Sequence, residues 1–120
     1  MASSIVVTVS DIGRGITEYS IAWTSDSSGN VGGSTFPIKT GRLLQSKFIP
    51  GVTAPTDQYD VTLIDADGAD LLLGAGANQS ATVPAFVAPA NPVMIIGGNV
   101  TPTIANAGNA KGGTLNLYVL

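Results

Sequence analysis

The stretch 54–74 constrains this chain more than any other. Tyr59, Val61 and Leu63 alternate with Asp60 and Thr62, and a two-residue apolar period puts successive side chains on opposite faces of a half-buried strand. Asp65-Ala66-Asp67-Gly68 follows, with the short polar residues and the glycine that a tight reversal needs. Leu71-Leu72-Leu73 then reads as the returning strand of a hairpin. The same alternation recurs elsewhere. Residues 4–10 are valine-rich. In residues 16–24, Tyr19, Ile21 and Trp23 share one face while Glu18, Ser20, Ala22 and Thr24 share the other. In residues 114–120, Leu115, Leu117 and Val119 oppose Asn116, Tyr118 and Leu120. No segment carries a sustained helical period with capping signals.

The remaining segments are punctuated by glycine and proline. Residues 31–38 read as a strand weakened by Gly32-Gly33, with Pro37 marking an edge strand or a strand end. Residues 42–49 place Leu43, Leu44, Phe48 and Ile49 in or near the core at irregular spacing, which predicts a bulge. Residues 81–91, with Pro84 and Pro89, read as an extended segment that pairs poorly. Val93-Met94-Ile95-Ile96 is a short apolar strand, Gly97-Gly98-Asn99 a hairpin turn and residues 101–105 its return. Short strands at this spacing predict one domain over residues 1–120, an all-β sandwich, jelly-roll-like or immunoglobulin-like, of roughly eight antiparallel strands.

Composition then limits the chemistry. The chain has no histidine and no cysteine, so it holds neither a Ser-His-Asp triad nor a Cys-His pair, and it lacks the commonest general base and metal ligand. Asp65, Asp67 and Asp70 alternate around a glycine as hard-cation ligands do, but the later glutamate and flanking helices of an EF-hand are missing. An acidic hairpin turn is the simpler reading of the same letters. Asp60 and Asp65, with Asp57 or Asp70 brought near by strand pairing, could form a hydrolytic carboxylate pair. The aromatics that would line its cleft read as core instead, Trp23 included. Gly74-Ala75-Gly76 lacks the third glycine and the following helix of a phosphate loop. These readings predict a protein that is not an enzyme and carries no cofactor.

Charged residues make up 11% of the chain, and the net charge is −3, against about 25% charged in an ordinary soluble domain. The acidic balance argues against nucleic-acid wrapping. No window approaches the roughly 20 apolar residues of a membrane span. Ile5-Val6-Val7 is too short for a secretory core, so the chain is expected to be made and kept in a cytoplasm, and the sequons at Asn78 and Asn99 are expected to be coincidental. Two explanations fit so few charges: a compact domain with a small-residue exterior, or a subunit that hides its exterior in an assembly. The second is favoured, because a nearly uncharged surface suits a free monomer poorly. Lys39, Arg42 and Lys47 cluster just before Asp57, Asp60, Asp65, Asp67 and Asp70. Copies could meet head to tail through these segments, although solvated edges that discourage stray pairing are the simpler reading.

Trp23-Thr24-Ser25-Asp26 is followed by a Gly-rich turn, then by Phe36-Pro37-Ile38, Gly41-Arg42-Leu43 and Ala54-Pro55-Thr56-Asp57. After these come Tyr59-Asp60-Val61-Thr62-Leu63, Asp65-Ala66-Asp67-Gly68, Gly74-Ala75-Gly76-Ala77-Asn78 and Ile104-Ala105-Asn106-Ala107-Gly108. In these letters the chain resembles a group of small all-β structural proteins encoded among the virion genes of tailed bacteriophages, best over residues 20–80. The resemblance implies a virion component and brings no active site with it. The expected role is a capsid decoration or cement protein on the head surface. Its partners would be the major capsid protein and further copies of itself, a trimer being one such form. Lys39, Arg42, Lys47, Asp65, Asp67, Tyr118 and Leu120 are the candidate interface residues. A neck or tail adaptor is the alternative, and a carbohydrate- or calcium-binding attachment module is a third reading.

Overall fold

The computed structural model describes residues 2–120. Among these, nine strands run in chain order: β1 (Ser4–Gly13), β2 (Ile16–Thr24), β3 (Phe36–Ile38), β4 (Gly41–Pro50), β5 (Asp60–Ile64), β6 (Ala85–Val87), β7 (Val93–Ile95), β8 (Gly98–Ala105) and β9 (Gly112–Val119). They form two antiparallel sheets in a sandwich-like arrangement. The larger is ordered β1-β2-β9-β4-β6 with β7 also on β4, and the smaller is ordered β3-β8-β5. After the β1–β2 hairpin the chain changes sheet at almost every connection. It visits the small sheet at β3, β5 and β8, and returns to the large one at β4, β6 and β9.

Alternation decides which side chains lie between the sheets. Tyr19, Ile21 and Trp23 of β2 and Leu115, Leu117 and Val119 of β9 are all buried, and they face Phe36, Val61, Leu63, Val100 and Ile104 of the small sheet across the core. Burying each such side chain contributes about 1.5–3 kcal/mol relative to leaving it in water. β2 supplies two aromatic contacts that tie the layers together. Tyr19 meets Phe36 of β3 at 5.9 Å between ring centroids, and Trp23 meets Tyr59, just ahead of β5, at 5.5 Å. Both are tilted arrangements of the kind that rings favour.

Several expectations from sequence are met and several are corrected. β2 begins and ends where its alternation does, and β4 carries a register shift between Leu43 and Gln45, the expected bulge. β1 runs on to Gly13, so the turn after it is only Arg14-Gly15. The strand expected over 31–38 shrinks to β3, with Val31 in a lone bridge to Ile104. Gly33 takes φ +79°, a conformation that interrupts a ladder. Leu71-Leu72-Leu73 is a run of turns, because the Asp70 carboxylate accepts the N–H groups of Leu63, Leu72 and Gly74 and curls the chain. Leu71 and Leu72 are buried there all the same. Gly97 and Gly98, at φ +84° and +82°, do not close a hairpin: β7 pairs with β4, while β8 pairs with β3 and β5. The glycines carry the chain from one sheet to the other.

Trp23 depends on Gly113, its cross-strand partner. A Cβ at Gly113 would stand 2.6 Å from the indole Cζ2, closer than any real contact. Gly113→Ala is therefore expected to destabilise the fold by about 1–3 kcal/mol through overpacking. Chemical denaturation followed by the emission of this single tryptophan measures the loss and reports the displaced ring together. Tyr59 supplies a second test. Burial pushes its phenol from 10.0 up to about 12. The folded chain thus keeps a proton that the unfolded chain releases, so this contribution is complete below pH 10 and is lost as pH rises toward 12. Urea midpoints across that window should fall more steeply for the natural chain than for Tyr59→Phe.

Candidate functional site

The aspartates are the residues with most capacity for chemistry, and the structure engages nearly all of them in holding the backbone. Of the seven aspartates in the sequence, Asp11, Asp26, Asp57, Asp60, Asp65 and Asp70 each accept at least one N–H. Asp60 takes two, from the Asn78 backbone and the Asn106 side chain. Asp65 accepts the N–H groups of Asp67 and Ala69, both at 2.9 Å, and its own N–H donates to the Ala69 carbonyl. The carboxylate of Asp67 accepts no such bond in the hydrogen-bond network. Among the described residues no three His, Cys, Asp or Glu side chains gather as a metal would require. The Asp65, Asp67 and Asp70 candidate is thus a pair of backbone-organising carboxylates with a solvated one between them.

The Asp65 turn has a twin. In Asp26-Ser27-Ser28-Gly29-Asn30, Asp26 accepts the N–H groups of Ser28 and Asn30, and Gly29 sits at φ +83° as Gly68 does at φ +84°. Short polar side chains mimic a backbone turn in this way. The two differ in surroundings. A Cβ at Gly29 would meet the Gly108 nitrogen at 2.7 Å, whereas nothing lies within 4 Å of one at Gly68. The first turn is packed against the 106–113 connection and the second stands free at the end of β5.

The basic candidates separate. Lys39 is a structural link: its N–H donates to the Tyr19 hydroxyl, and its Nζ donates to the Gly15 carbonyl at 2.7 Å. Arg42 and Lys47 lie on the outer face of the large sheet, where Arg42 is the cross-strand partner of Met94 and Lys47 that of Phe86. The Lys47 Nζ stands 4.9 Å from the Tyr118 ring centroid and 5.6 Å from that of Phe86, so the ammonium lies between two aromatic faces. Leu120 is tied to Arg42 by two backbone hydrogen bonds of 2.9 Å. The structure therefore brings Arg42, Lys47, Tyr118 and Leu120 together on and beside one sheet. Asp65 and Asp67 belong to the turn that follows β5 of the other.

Two members of this face escaped the sequence. Phe86 and Met94 are 61% and 67% exposed, yet residues 81–91 read as an unpaired segment and Met94 as part of an apolar strand. Only their cross-strand neighbours reveal them. Glu18 is the one acidic residue that the described strands of the large sheet place on this side; Asp11 shares the parity of the inward-facing Ile5 and Val7. A cavity of about 370 Å³ opens nearby, between β4 and the turns 71–75 and 87–93, with Leu43, Leu71, Leu72, Val87, Val93 and Ser46 among its walls. Compared with known proteins, the chain matches no family model, no curated protein and no solved structure.

The carboxylate assignments are separable by substitution. Asp65→Ala removes the acceptor of two N–H groups and is expected to cost about 1–3 kcal/mol of stability. Asp67→Ala is expected to stay within about 0.5 kcal/mol of the natural chain. Thermal unfolding of the two variants side by side checks the order.

Proposed function

We propose that this chain is a non-enzymatic structural protein of a tailed-bacteriophage virion, a decoration or cement protein that binds the assembled head and reinforces it. The observation that carries the reading is the outer face of the large sheet. There Phe86, Met94 and Tyr118 stand beside Arg42 and Lys47 with a single carboxylate, Glu18, among the strands. Aromatic, methionine and arginine side chains with few other charges are the composition of a surface that another protein covers. The virion setting itself is taken from the resemblance read in the letters of residues 20–80. Six aspartate carboxylates have a structural use, accepting N–H groups at turns and strand ends.

The mechanism is linkage. A ligand that binds the assembled shell and not its dissociated subunits stabilises the shell, by about 2.7 kcal/mol per site at a free concentration 100 times the Kd. The covered face supplies that affinity, Phe86 and Tyr118 as apolar anchors and Lys47 as a cation already held between their rings. The chain should co-sediment with isolated heads of the encoding phage and raise the temperature at which they break open. Phe86→Ser should weaken binding about tenfold or more without lowering the variant's own unfolding temperature. A chain that stays in the supernatant with intact heads overturns the reading, and one that pellets only with tails moves it to the neck or tail.

A further inference from the structure

β-sheet edges carry unpaired N–H and C=O groups, and soluble proteins blunt them with prolines, charges, short strands or a covering loop. Three of the four edges here are treated in that way. β3 is three residues long with Pro37 at its middle. The edge beyond β4 is held by β6 and β7, three residues each, in a segment that contains Pro84, Pro89 and Pro92. β5 is covered by its own following loop: the Val61 N–H donates to Gly76, the Leu71 N–H to Leu63 and the Gln79 N–H to Tyr59, at 2.7–2.8 Å.

β1 is the exception. It is ten residues long without proline or lysine. Its two blunting features, the charge of Asp11 and a register shift against β2 between Asp11 and Gly13, both lie at its far end, leaving residues 4–10 with none. Among the described residues it pairs with β2 alone. Val6, Val9 and Ile12 are 65%, 57% and 53% exposed along it. We infer that this edge is the self-association site of the protein: β1 of one copy pairs antiparallel with β1 of a second across a two-fold axis, joining two large sheets into one. The occupant follows from the strand itself. An antiparallel strand is complementary to its own copy under a two-fold axis. A two-fold near Val7 keeps the contact within the regular residues 4–10 and sets Ser4 against Ser10, Ile5 against Val9 and Val6 against Thr8. No such pair brings like charges together, since residues 4–10 carry none. Every copy presents this edge, so a protein present in many copies meets it most often on another copy of itself. A two-fold contact builds dimers, whereas the trimer envisaged from sequence would need a head-to-tail contact.

This inference deepens the self-association part of the proposed function and needs no shell, so the two fail separately. The test is sedimentation of the isolated chain across a concentration series, with amide hydrogen exchange on the same samples. The natural chain should sediment as a dimer, and exchange within residues 4–13 should slow as concentration rises. Val6→Lys and Val9→Lys, at exposed positions, should sediment as monomers while keeping the tryptophan emission of the natural fold. A natural chain that is monomeric throughout overturns the inference, as does a dimer that survives both lysines in folded protein. If the lysine variants fail to fold, exchange in β1 that ignores concentration overturns it on its own. Head binding by a chain that is monomeric in solution would retain the decoration reading and remove this one.

Discussion

A chain that crosses between two sheets at nearly every connection must satisfy the backbone of those connections without help from a ladder. Each hydrogen bond made to those connections contributes a net of about 0.5–1.5 kcal/mol. Aspartate meets that demand here. Asp26 and Asp65 close two turns of the same design, Asp70 curls the segment after β5, and Asp57 and Asp60 hold the return of that segment against the sheet. A sequence rich in closely spaced aspartates therefore reflects how often the chain must turn, and the acidic cluster that suggests a cation loop is the framework of the fold.

With the connections satisfied, apolar alternation places the rest. β2 and β9 lie at the middle of the large sheet, and their inward residues form the floor on which the three-stranded sheet sits. The two aromatic contacts from β2 fix where that smaller layer lies, one toward β3 and one toward β5. Close packing of this kind leaves no room for an added Cβ under the indole of Trp23. The opposite side of the same strands is set by the same alternation. Because inward positions are apolar, the outward ones are free to carry Lys47, Tyr118, Asn116 and Glu18, and the proposed covered face is the reverse side of the core.

The sequence disclosed these parts unevenly, for physical reasons. Where alternation was strict, as in residues 16–24 and 114–120, strand and buried face followed directly, and the fold class with them. Where glycine, proline or aspartate intervened, local letters had two solutions. Leu71-Leu72-Leu73 has the composition of a strand, but side-chain capture of its N–H groups by Asp70 wins. Gly97-Gly98 has the composition of a hairpin turn, but the flanking strands find partners in different sheets. Arg42, Lys47, Tyr118 and Leu120 were named from their types alone. Phe86 and Met94 could not be, because exposure on a shared face arises from pairing with residues distant in the chain, Lys47 for Phe86 and Arg42 for Met94. Lys39, grouped with them in the sequence, donates its backbone N–H to the Tyr19 hydroxyl and one Nζ hydrogen to the Gly15 carbonyl.

The central place of β9 carries a consequence for how the molecule comes into being. β2 and β4 do not pair with each other; each borders β9, which is the last strand in chain order. On the ribosome, the amino-terminal hairpin and the strands after it have no completed layer to join until residues 112–119 have emerged. Maturation is therefore a late, collective event governed by contacts between distant parts of the polypeptide, of the kind that proceeds in milliseconds to seconds rather than microseconds. Until then the apolar faces of the earlier strands lack their cover, which is the condition under which chaperones matter.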